Sequence, residues 1–151
     1  MCSVMIHRSV IDEEELGFGE ELQYCPEHNL FMKIAARYKV GVIHDPIAKY
    51  RWSSSSLSRK TRHLVSEEIG YTLDELQKLY PDAVNSCSEA MLAARAKLNY
   101  YDALNFINKG DYPAARSALI PVFACRWEFM VLYLMLFLPI PQSILLRMLN
   151  R

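Results

Sequence analysis

Val40-Gly41-Val42-Ile43-His44-Asp45-Pro46-Ile47-Ala48-Lys49-Tyr50-Arg51-Trp52 is the stretch whose reading decides the fold class. Two short runs rich in β-branched and aromatic residues flank an Asp-Pro turn signal, a pattern that predicts two strands. Upstream, Val4-Met5-Ile6 reads as a further short strand. Ser9 and Asp12 are spaced like a capping box, and Glu13-Glu14-Glu15 favours a helix start there. Gly17 and Gly19 should end that helix and turn the chain, with Phe18 in the core. Pro26 suits the first turn of a second helix. Leu30, Phe31, Ile34, Ala35 and Tyr38 follow at helical spacing and are expected to face a core. Residues 1–80 therefore read as α/β.

Beyond the strands the texture changes. Ser53 to Ser58 is a serine-rich loop followed by the basic segment Arg59-Lys60-Thr61-Arg62. Thr72-x-x-Glu75 has capping-box spacing ahead of Leu73, Leu76 and Leu79, with Pro81 as a stop. From about residue 88 the pattern is helical. One helix is predicted from Glu89 towards Asn108, ending at Gly110, and a second from Asp111-Tyr112-Pro113. A third covers the apolar run from Trp127 to Leu138, closed by Pro139-Ile140-Pro141, and a last one runs from Gln142 to Arg151. The reading gives residues 81–151 as an α-helical tail.

The chain has 151 residues with 52% hydrophobic and 23% charged content, enough for a real core. Its net charge of zero gives no reason to expect a nucleic-acid partner. The balance is uneven: residues 91–151 hold seven Lys and Arg against three Asp and Glu. Cys2, Cys25, Cys87 and Cys125 form no Cys-x-x-Cys pair and read as free thiols of a reducing compartment, the cytoplasm. The first residues lack the charged lead and long apolar run of a signal peptide. His7, His44 and His63 form no ligand spacing, so no metal is assigned to them.

Three short segments, in order, carry a resemblance: Gly17-Phe18-Gly19-Glu20, Glu27-His28-Asn29-Leu30-Phe31 and Tyr50-Arg51-Trp52-Ser53. Together they resemble the acceptor side of a family-2 glycosyltransferase with a GT-A fold. That family has a Gly-Gly-Phe-Asp-Glu-like turn, then an acidic residue at a helix start, often within Glu-Asp-Tyr-Asp-Leu-Trp, then a Tyr-Arg-x-His strand end. The likeness covers residues 1 to about 80. It implies transfer of a sugar from a nucleotide-sugar to a glycan or lipid-linked acceptor. Aligned on Leu30-Phe31, Glu27 falls on the family's catalytic base. His28 takes the usual aromatic position and could hydrogen-bond an acceptor sugar. Arg51, Trp52 and Ser53 fall in the substrate-binding strand end, with Ser53 where many relatives have His. The family's Asp-x-Asp, which binds the donor with a divalent Mg or Mn, is absent from these 151 residues. The resemblance therefore implies no cofactor held by this chain itself, and either a fragment of such an enzyme or one half of a split enzyme whose donor-binding half is separately encoded.

Each of these residues has a plainer reading. Glu27 suits the positive end of a helix dipole. His28 is compatible with a helix start that holds no ligand. Arg51 could close an ion pair and Trp52 could pack. The apolar run Phe129 to Leu138 is shorter than the roughly 20 residues needed to span a bilayer. With Trp127, Tyr133 and flanking Arg126, Arg147 and Arg151, it suits a helix lying on the inner face of the membrane, or one buried in a bundle. The alternative function is thus a non-catalytic helical module that docks to a membrane or to another protein.

Overall fold

The computed structural model describes residues 3–13, 16–49, 61–123 and 126–149. They form two compact units, Met1–Cys87 and Ser88–Arg151. The α/β expectation is overturned: among the described residues every regular element is a helix. Val4-Met5-Ile6 has no regular structure, and residues 39–49 run irregularly with a bend at Asp45. A strand needs a partner for its N–H and C=O groups. No backbone hydrogen bond joins residues 39–49 to another segment among the described residues. Val40, Val42, Ile43 and Ile47 are correspondingly exposed. Their β-branching records a preference for a pleated, half-buried surface, and no such surface forms here. Tyr50 and the serine loop Ser53–Ser58 lie outside the described residues.

The first unit holds α1 (Arg8–Glu13), α2 (Pro26–Arg37), a 3₁₀ turn (Arg62–Leu64), α3 (Val65–Leu79) and α4 (Pro81–Ser86). Pro26 opens α2 and Pro81 opens α4, positions where a missing N–H is harmless. The core sits between α2 and α3: Leu30, Val65, Leu73 and Leu76 are buried, and so are Leu22 and Val84. Phe18 is exposed, contrary to expectation. The other apolar face of α2 is covered only in part, since Phe31, Ile34 and Tyr38 are half-buried and Ala35 is exposed.

The second unit holds α5 (Ser88–Lys109), α6 (Tyr112–Leu119), α7 (Trp127–Met135) and α8 (Gln142–Leu149). Gly110 takes φ +77° between α5 and α6. Its N–H donates to the Ile107 carbonyl at 3.0 Å and that of Asp111 to the Phe106 carbonyl at 2.9 Å, a Schellman pair. The Asp111 carboxylate then accepts from the Ala114 N–H at 3.0 Å and caps α6. Ala103 and Ala115 are fully buried, and small residues let α5 and α6 approach closely. Ile107, Leu119, Leu132 and Leu145 complete the core. The Gln142 side-chain amide donates to the Ile107 and Asn108 carbonyls, at 2.7 and 3.0 Å, so the start of α8 caps the end of α5.

Candidate functional site

The start of α2 is built by a residue far along the chain. Cys25, the residue before Pro26, offers no side-chain cap. Instead Glu68 of α3, only 6% exposed, turns its carboxylate onto the chain entering α2. The Gln23 N–H donates to Oε1 at 2.8 Å, and the Cys25 N–H to Oε2 at 3.1 Å. The Tyr24 N–H is shared between them, at 2.9 and 2.8 Å. The Cys25 thiol lies 3.8 Å from Oε2. Three consecutive backbone donors of the turn leading into α2 are thus satisfied by one buried carboxylate.

One turn on, Asn29 is 1% exposed. Its amide donates to Thr72 Oγ1 at 3.2 Å and to Glu75 Oε2 at 2.8 Å. Thr72 Oγ1 donates to the Glu68 carbonyl at 3.0 Å. One turn further, Lys33 pairs with Glu75 Oε1 at 2.8 Å. Cys25 just before α2, and Asn29 and Lys33 on it, therefore face Glu68, Thr72 and Glu75 of α3 along a polar seam beside the apolar core. This corrects the capping-box reading of Thr72 and Glu75. Both lie well inside α3, which begins at Val65, and both serve the seam.

The seam fixes where Glu27 and His28 stand. Glu27 is half-buried in the first turn of α2. His28 follows it, half-buried, and burial pushes its pKa below the ordinary 6.5 while the charge of Glu27 works the other way. The imidazole is therefore neutral at neutral pH. Among the described residues its buried Nδ1 has no hydrogen-bond partner. Cys25 is held at a pKa of about 11, by burial first and then by the charges of Glu68 and Glu27, so its thiol stays protonated. His28 lies on the wall of a cleft of about 620 Å³, lined also by Phe31 and Ile34 of α2, by Tyr38 just after it, and by Val4, Met5 and Ile6.

Of the residues expected at a site, the structure brings Glu27 and His28 together at one helix start. Arg51, Trp52 and Ser53 lie outside the described residues. Glu68 escaped the sequence reading, although a signal was there. Val65, Thr72 and Leu76 share a helical stripe with position 68, so a carboxylate stands on the buried face of α3. Among the described residues no group of three His, Cys, Asp or Glu is placed to hold a metal ion. None of their helices is long and apolar enough to cross a membrane. The chain matches no protein-family model, no curated protein and no solved structure.

Proposed function

We propose that the first unit serves as the acceptor-binding part of a family-2 glycosyltransferase, with Glu27 as the general base. One observation supports this above the rest: the helix start that carries Glu27 is held by a buried carboxylate through three backbone N–H groups. A base must stand at a fixed point beside the acceptor hydroxyl, and a packed, anchored helix start supplies that. In this reading Glu27 takes the proton as the acceptor oxygen attacks the anomeric carbon of the donor. His28, neutral and on the cleft wall, hydrogen-bonds the acceptor. By the resemblance Arg51, Trp52 and Ser53 bind substrate, and the acceptor is a glycan or a lipid-linked sugar. In this reading the divalent Mg or Mn ion and the nucleotide-sugar sit on a separate donor-binding half, since these 151 residues carry no Asp-x-Asp.

The test joins the chain to a donor half carrying an Asp-x-Asp motif and follows sugar transfer by mass spectrometry. Glu27→Gln keeps the shape and removes the base, so kcat should fall about 10²- to 10⁴-fold with acceptor affinity little changed. A kcat within a few-fold of the parent rejects Glu27. Calorimetry of the chain alone with UDP- and GDP-sugars and manganese should show little binding, since no Asp-x-Asp is present. Micromolar affinity there rejects the placement of the donor site on a separate half.

A further inference from the structure

The helix α7 is apolar apart from Glu128, but its unit covers only one side of it. Phe129, Leu132 and Leu136, spaced i, i+3, i+7, are buried. Trp127, Met130, Val131, Leu134 and Leu138 follow the opposite stripe at i, i+3, i+4, i+7 and i+11, and all are exposed, Trp127 at 69% and Leu134 at 57%. The exposed stripe continues past the helix in Phe137. On α8, Leu145 faces the core while Ile144 and Met148 are exposed. A contiguous set of large exposed apolar side chains marks an interaction surface, so the stripe asks for an outside partner.

Charge says which. Residues 88–151 carry seven Lys and Arg against four Asp and Glu. Cations mark both ends of the stripe. Arg126 precedes Trp127 and is exposed, paired at 2.9 Å with Glu128. At the far end the Arg116 guanidinium lies 4.6 Å from the Phe137 ring and donates to the Leu136 carbonyl at 3.0 Å. An apolar stripe with a tryptophan at one end and guanidinium groups at both is suited to a layer that is oily inside and negative at its surface. A helix of nine residues cannot cross such a layer but can lie in its interface.

We propose that the exposed stripe of α7, extended by α8, docks the chain on the surface of an anionic bilayer. The proposal stands on the second unit alone and is independent of the glycosyltransferase reading. The whole chain is mixed with vesicles of phosphatidylcholine, with and without phosphatidylglycerol, and centrifuged. It should pellet with the anionic vesicles at low salt and be released at high salt. Met130→Glu with Leu134→Glu changes only exposed positions, and should lower the bound fraction at least about ten-fold with helicity retained. In a Trp52→Phe background, which leaves α7 untouched, Trp127 emission should move to the blue on vesicle addition and be quenched by brominated lipid. That measurement decides the matter if the double variant unfolds. A chain left in the supernatant, undiminished binding by a folded double variant, equal binding to purely zwitterionic vesicles, or unmoved Trp127 emission each overturns the proposal. So does a dimer in solution that the double variant converts to monomer, because the stripe would then belong to a second copy.

Discussion

At Glu68 three consecutive backbone N–H groups meet one carboxylate that is almost wholly removed from water. Both sides depend on the arrangement. The charge is tolerable inside because the donors solvate it, and the donors lose water because the charge replaces it. Removing the carboxylate strands the donors, which is dearer than losing an average hydrogen bond. Glu68→Ala should therefore lower the unfolding free energy of the first unit by about 3 kcal/mol, read from urea titration. Glu68→Gln keeps the volume but turns an NH₂ towards N–H donors, so it should recover little of that loss. Hydrogen exchange should quicken at Gln23, Tyr24 and Cys25 in both variants. A loss within about 0.5 kcal/mol, as for an ordinary surface change, would show that the seam does not hold α2.

At the scale of elements, legibility followed the range of the forces involved. The turn between α5 and α6 could be read because its causes are local. A glycine supplies the left-handed step, an aspartate caps the next helix, and a proline sits in its first turn. Gly110→Ala should therefore cost about 1 kcal/mol in thermal or urea unfolding of the second unit. Gly17→Ala is the contrast. Among the described residues no atom beyond its chain neighbours lies within 4 Å of a Cβ built at Gly17, and its φ is not left-handed, so the change should be near neutral. A similar cost at both positions would sink the conformational argument. Residues 40–49 were misread because a strand is decided by its neighbour, and propensity is silent about whether the neighbour is there. The helix start of α2 was readable from Pro26, and with it Glu27 and His28. Its anchor was not, because Glu68 bonds to residues 43 to 45 positions upstream. Thr72 and Glu75 show the opposite error, a local cap motif absorbed by a contact between helices.

For the whole molecule, the division at Cys87 and Ser88 has thermodynamic content. Each unit has its own buried apolar set: Leu30, Val65, Leu73 and Leu76 in the first, and Ala103, Ile107, Leu119 and Leu145 in the second. Cooperativity travels through shared burial, so side chains within one core should stand or fall together. Leu73 and Ile107 are matched probes, 2% and 0% exposed. Truncating either to Ala removes apolar contacts and leaves a cavity, at about 2–5 kcal/mol. With separate cores, Leu73→Ala should speed amide exchange in α2, α3 and α4 and leave α5 to α8 unchanged. Ile107→Ala should do the reverse, and calorimetry of either variant should split into two transitions. Mutations in different units should then add, while two in one unit need not. If Leu73→Ala instead loosens α5 and α6 as much as α3, the chain unfolds as a single cooperative body. The charge division between the halves would then have no counterpart in stability.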